Sequence, residues 1–293
     1  MAASGRTLDA LRREIDRIDD EIHDLLMRRA AVVDEIRHSK GADAGSYLRP
    51  GREAAILRRL LARHSGNLPP ASLVRIWREI MAAVAQLQGP FNVAVFAPPE
   101  FPGYWDLARD HFGSATPMTR YASVDHVIRA AGEDRNTIAV LPYPHEASAD
   151  PWWRFLASED VGALRVVARL PFFRVPGRGE NVSALAVARM EPEETGRDRT
   201  LFAVETANEV SRSHFNSALK TAGFDPRFVG EWTRAEKGFL HIVEIADYVS
   251  PEDPRFERLR EWQEGAITSI IPVGGYAEPM GEDEIAESVA RRA

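Results

Sequence analysis

Cysteine is absent from the 293 residues, which excludes disulfides, thiolate nucleophiles and Cys-ligated metals and fits a reducing compartment. Lysine is nearly absent too: it occurs only at 40, 220 and 237, and arginine supplies the rest of the 37 basic side chains. No run of about eighteen apolar residues occurs, so a membrane span is not expected. The opening MAASGRTLDALRREID has no apolar signal core, so the cytoplasm is the expected compartment. Excess positive charge is also missing. With 44 acidic against 37 basic side chains and a net charge of −7, there is no global basic field to hold nucleic acid or an anionic membrane. Any anion site must therefore be local. What is present, 44% hydrophobic and 28% charged residues, is ample for packed cores and predicts two or three domains.

From Leu8 to Ile36 the apolar positions Leu8, Leu11, Ile15, Ile18, Ile22, Leu25, Val32 and Ile36 recur at helical period. At about 1.5 Å per residue this helix exceeds ~40 Å, more than a compact domain of this size needs. A second helix is predicted from about Pro50 to His64. A third follows Pro69-Pro70, with Leu73, Ile76, Trp77, Ile80, Met81, Val84 and Leu87 on one stripe and Gln88 at its end.

At Gln88-Gly89-Pro90 the texture changes. FNVAVFAP, NTIAVLPYP, ALRVVARLPFF and VSALAVAR read as short strands, alternating in part with the helical stretches YWDLARDHF and DHVIRAAG. The pattern predicts an α/β unit with a largely parallel sheet. From Thr200 the order strand, helix, strand, strand, helix, strand predicts a βαββαβ unit of ferredoxin-like type. The pairs His145/Glu146 and Asp125/His126 read as surface or capping residues rather than as a metal or acid–base site.

The charges of the helical part have a geometry. Arg29 and Lys40 lie about 20° apart in helical phase and roughly 16 Å in rise, so both could lean toward one small anion. Arg12 is roughly 25 Å from Arg29 along the axis and cannot join them from the same helix. If it takes part, it comes from a second, antiparallel copy.

These residues carry a resemblance. LDALRREIDRIDDEIHDLLMRRAAVVDEIRHSK, RPGREAAILRRL and WREIMAAVAQLQ together resemble the all-helical class of chorismate mutases over residues 6 to 88. The resemblance implies an intertwined helical dimer and a Claisen rearrangement of chorismate to prephenate, with no cofactor or metal. It also implies roles. Arg29 and the other chain's Arg12 would hold the two substrate carboxylates, with Arg52 in support. Lys40 and Gln88 would donate to the ether oxygen, and Glu53 would accept from the ring hydroxyl. Arg49 and Val84 stand where that family can carry an Asp and a Ser. Isochorismate–pyruvate lyase chemistry on the same helical fold is the minor alternative.

Residues 91 to 190 resemble a shortened lobe of prephenate dehydratases, but their polar motifs are changed. APPEFPGYWD, LPYPHEAS and Asn181-Val182-Ser183-Ala184-Leu185 stand where that family carries its Gly-Thr-Tyr-Ser, Pro-Ile-Glu-Asn-Ser and Thr-Arg-Phe segments. Dehydratase activity is therefore not expected. Residues 197 to 281 resemble an ACT domain, which implies a regulatory or structural extension, with either an amino-acid effector or a dimerising or partner-binding role; 282 to 293 form a polar tail. The expected architecture is thus a helical mutase domain over residues 1 to 90, an α/β dehydratase-like lobe and an ACT-like domain. The competing readings are a bifunctional mutase/dehydratase and a non-catalytic binding module.

Overall fold

The computed structural model describes residues 6–40, 48–145, 151–160, 162–175, 182–207, 210–234, 238–263 and 265–281, with the side chains of Lys40 and of residues 232–234 outside the description. Three helices come first: α1 (Leu8–Lys40), α2 (Pro50–Ala62) and α3 (Pro70–Gln88). The α/β part follows with β1 (Asn92–Phe96), α4 (Gly103–Phe112), β2 (Met118–Tyr121), α5 (Val124–Glu133), β3 (Thr137–Pro142), a 3-10 turn (Trp152–Leu156), β4 (Arg165–Leu170), β5 (Phe173–Arg174) and β6 (Ala184–Ala188). The last segment holds β7 (Asp198–Thr206), α6 (Arg212–Ala222), β8 (Pro226–Arg234), β9 (Gly238–Ile245), α7 (Pro254–Arg260), β10 (Ile267–Ala277) and β11 (Met280–Gly281). Among the described residues no helix is long and apolar enough to cross a membrane.

Both β-containing segments contribute to one nine-stranded sheet in the order β2-β1-β3-β6-β4-β10-β7-β9-β8. The expectation of a largely parallel sheet needs correction. β1 runs parallel to β2 and β3, but β6 is antiparallel to both β3 and β4. Parallel neighbours need a crossover, usually a helix, and no helix occurs among the described residues between β4 and β6. The predicted strand ALRVVARLPFF also stops early: Pro171 follows β4, and Phe173–Arg174 leaves to pair with β11. The last four long strands pair antiparallel in the order β10-β7-β9-β8.

The alternation of side chains sets which helix covers which face. Val93 and Val95 of β1 pack with Ala108 and Phe112 of α4, while Ala94 packs with Val127 and Ala131 of α5 on the other side. In the last segment Phe202, Val204, Val243 and Ile245 meet α6 and α7, and Leu201, Ala203 and Ile242 meet Trp152, Trp153 and Leu156. The segments join where β10 passes β4 in parallel at Gly274 and Val166. Gly274 has φ +126°, and a Cβ there would lie 2.3 Å from the Val166 carbonyl oxygen. The pair of glycines in VGGY therefore allows two backbones to close together.

The α2–α3 hairpin is built into this body. Ala54, Leu57, Leu61, Leu73, Val74 and Met81 share a core with Phe172 and Phe173. Arg58 of α2 donates to Thr195 Oγ1 (2.7 Å) and to the carbonyls of Arg197 (2.7 Å) and Glu278 (2.9 Å). On α3 the buried stripe is Leu73, Val74, Arg78, Met81, Ala82, Val84 and Ala85. It is rotated from the predicted one, leaving Ile76 and Leu87 exposed. The long α1 lies against α3, yet none of its described residues is buried. Leu8, Leu11, Ile15, Ile18, Ile22, Leu25, Val32 and Ile36, the whole predicted stripe, are exposed in the single chain.

Gly274→Ala tests the merged sheet. The left-handed backbone alone is expected to cost about 1–3 kcal/mol, and the contact with Val166 adds to it. The expected readout is a lower urea midpoint; an unchanged midpoint would mean that the strands do not approach so closely.

Candidate active site

Three helices line an open cavity of about 570 Å³. α1 contributes Arg28, Arg29, Val32 and Ile36, the entrance to α2 contributes Arg49, Arg52, Glu53 and Ile56, and α3 contributes Met81, Val84 and Gln88. Helical phase explains the gathering. Leu25, Arg29, Val32 and Ile36 recur at steps of four and three, which puts them along one side of α1. Pro50 and Gly51 start α2, so Arg52 and Glu53 fall in its first turn. Gln88 is the last residue of α3 and half-buried.

Of the residues expected from the sequence, Arg29, Arg52, Glu53 and Gln88 line this one cavity. Arg49 and Val84, the two departures from the family pattern, line it as well. Arg12 does not. It is exposed and pairs with Asp9 at 3.5 Å on its own helix, as its distance along α1 requires. The Lys40 backbone ends α1, but its side chain lies outside the described residues.

The cavity is polar at defined points. Arg29 is partly buried, and burial lowers its guanidinium pKa from the ordinary value. Its Nη1 is shielded from solvent with no hydrogen-bond partner among the described residues. A buried guanidinium N–H without a partner is costly, and a ligand carboxylate would satisfy it.

Glu53 has a partner that the sequence reasoning missed. Arg78 Nη1 donates to Glu53 Oε2 at 2.6 Å, and the two side chains are only 5% and 13% exposed. Burial raises the Glu53 carboxyl above its ordinary value against the opposing pull of Arg78, and the charge of Glu193 adds to the rise. Burial lowers the Arg78 guanidinium, with Glu53 pulling the other way. Arg78 also sits over the Phe172 ring, 5.5 Å from its centroid. It lies near the buried His111, whose imidazole is held well below its usual range first by burial and then by the Arg78 charge. Its position carries the signal only once the buried side of α3 is known: Arg78 stands four residues after Val74 and three before Met81 on that side.

A second cavity of about 580 Å³ lies beyond Arg78, between α3 and α4. It brings together Gly103 and Val182 from two of the altered dehydratase-like segments with Arg75, Arg78, Asp106, His111 and Phe172. Ser114 carries the hydroxyl of this lining among the described residues, and its Oγ donates to Glu79 at 3.2 Å. Asn181 and Glu146 lie outside the described residues. Ser123 caps α5 by accepting from His126 N, the capping context expected of Asp125 and His126, and His145 is exposed.

Two measurements probe the buried pair. Arg78→Met leaves Glu53 uncompensated and is expected to cost about 3–5 kcal/mol of unfolding free energy by urea titration. The pH dependence has a definite sign. Between the ordinary Glu value of 4.5 and the raised native value, the native state keeps a proton that the unfolded chain has lost. Stability from this group therefore falls as pH rises through that window. Glu53→Gln is expected to flatten that slope.

Comparison with known proteins bears on this cavity. Residues 11–89 match the family model described as chorismate mutase type II. The chain is 31% identical over 140 residues to a bifunctional chorismate mutase/prephenate dehydratase of Pseudomonas aeruginosa. It is 35% identical over 141 residues to a protein of the same description from Neisseria gonorrhoeae. These alignments cover 46% and 47% of this chain and 38% of each relative's length. Both are longer than the family-model match and so extend past the helical segment. A solved prephenate dehydratase from Streptococcus mutans superposes with a TM-score of 0.47 and 14% identity, covering 65% of this chain and 99% of that one. At that distance it adds nothing on function. Residues 11–89 are thus similar to chorismate mutase type II, and the similarity to the bifunctional relatives extends past them.

Proposed function

We propose that the protein is a chorismate mutase, converting chorismate to prephenate in the cavity of the three helices. The observation that carries this reading is the convergence of Arg29, Arg52, Glu53 and Gln88 on one cavity, with an Arg29 N–H buried and without a partner. In the rearrangement the ether C–O bond breaks as the C–C bond forms, with no covalent intermediate and no proton transfer. What the protein supplies is a compressed substrate geometry and fixed donors where the ether oxygen gains electron density. Arg29 would hold one carboxylate, Gln88 and Lys40 would donate to the ether oxygen, and Arg52 would add positive charge. Glu53 would accept from the ring hydroxyl through Oε1, its Oε2 being held by Arg78.

The reading includes a dimer. The eight apolar side chains of the predicted α1 stripe are exposed in the single chain, and fully burying such a side chain is worth about 1.5–3 kcal/mol. A second copy laid antiparallel on that stripe would cover it and bring its Arg12 to the cavity. The region after residue 90 is read as a regulatory or structural extension, its last part ACT-like with an amino-acid effector. The βαββαβ order and the strand order β10-β7-β9-β8 support that assignment.

The test is prephenate formation from chorismate by the full chain. Removing one donor, as in Gln88→Ala or Lys40→Ala, is expected to lower kcat by about 10²–10³. Activity retained at the parent level would overturn the assignment. Arg12→Ala and Arg29→Ala subunits, each inactive alone, are expected to regain activity when co-expressed, because a mixed dimer contains one intact site. Phenylpyruvate formation from prephenate would instead support the bifunctional alternative.

A further inference from the structure

α2 begins without a cap of its own. Its N-cap residue is Arg49, whose side chain makes no cap hydrogen bond, and Pro50 follows with no N–H to offer. The first backbone donors of a helix need acceptors from elsewhere. Here the acceptor comes from the α/β body, 141 residues away in sequence: Glu193 Oε2 accepts from Arg52 N at 3.3 Å. The other carboxylate oxygen, Oε1, accepts from Arg49 Nε and Nη2. Glu193 thus does what an N-cap side chain does, and it adds a negative charge at the positive end of the helix.

The surroundings hold this contact in place. Glu193 lies in the connection between β6 and β7, where Thr195 N and Oγ1 both donate to the buried Asp198 at 2.8 and 2.6 Å. Arg58 of α2 grips the same connection through Thr195 Oγ1. Gly51 fits the approach closely: a Cβ there would lie 2.7 Å from Glu193 Cβ and 3.1 Å from Thr195 Cγ2. The two residues after Gly51 are Arg52 and Glu53, both in the cavity wall.

We propose that Glu193 is a positioning residue for the mutase reaction, an external cap that fixes the first turn of α2 and so aims Arg52 and Glu53. The proposal rests on the mutase reading. It makes the competence of the helical cavity depend on the β6–β7 connection of the α/β body.

The experiment uses the full chain, Glu193→Ala, Glu193→Gln and, as a control on the same connection, Glu194→Ala. Amide hydrogen exchange over residues 51–56 reads the cap directly, and steady-state chorismate turnover reads its consequence. Glu193→Ala is expected to raise exchange in the first turn of α2 roughly fivefold. It is also expected to lower kcat about 10- to 100-fold, with a smaller change in KM. Glu193→Gln, whose amide oxygen can still accept from Arg52 N, should retain most of both properties, and Glu194→Ala should match the parent. Unchanged exchange in Glu193→Ala, faster exchange with unchanged kcat, or a Gln variant as impaired as Ala would each overturn the proposal. If the parent chain does not turn over chorismate, the mutase reading falls and the positioning role with it, while the exchange data still decide whether Glu193 caps the helix.

Discussion

A buried ion pair survives only where its surroundings hold both partners still, because losing either one strands a charge in a medium that cannot solvate it. Glu53 and Arg78 impose that constraint here. Their contact fixes the register of α2 against α3, since one residue of slip in either helix would swing a charge by about 100°. Phe172 lies over the guanidinium and the buried His111, its imidazole held below the usual range, lies near it, so the α/β body takes part in the arrangement. The pair also forms the partition between two cavities, Glu53 lining one and Arg78 the other. The helical domain and the body are therefore electrostatically one object at this point, although the chain changes texture between them.

The same integration appears in the sheet. Two segments that the sequence divides, one α/β and one βαββαβ, are stitched by β4 and β10, and the stitch depends on backbone approach rather than on side chains. Arg58 then ties α2 to the far end of that construction through the Arg197 and Glu278 carbonyls, next to the start of β7 and the end of β10. A displacement of β7 relative to β10 would be felt at α2 through a single side chain.

The legible parts of the molecule are those governed by short-range periodicity. The steps of three and four in α1, the Pro-Gly start of α2 and the strand–helix alternation after residue 90 each depend on residues within one or two turns of one another. Arg29, Arg52, Glu53 and Gln88 were placed by motif resemblance, and the cavity contains all four. What could not be read depends on distant sequence. An arginine in Trp77-Arg78-Glu79 looks like any solvated cation until the buried side of α3 is known, and the stripe chosen from hydrophobicity alone was rotated toward Ile76 and Leu87. The antiparallel β6 was missed because pairing direction depends on how the chain returns rather than on strand composition. Arg49, the one cation at the α2 entrance for which the family pattern offers no role, finds its partner in Glu193, a residue that no local pattern could have pointed to.

The bare face of α1 has a thermodynamic consequence. Of the described side chains of this 33-residue helix none is fully buried, so it gains little from its own chain, and isolated helices in water are marginal. A surface that covered the stripe would add to its order, and such stabilisation obeys mass action. If a second copy supplied that surface, the fraction of chains with α1 formed would rise with protein concentration. Arg29 and its neighbours on α1 would then inherit that dependence, and the wall they build would be a property of concentration as much as of sequence.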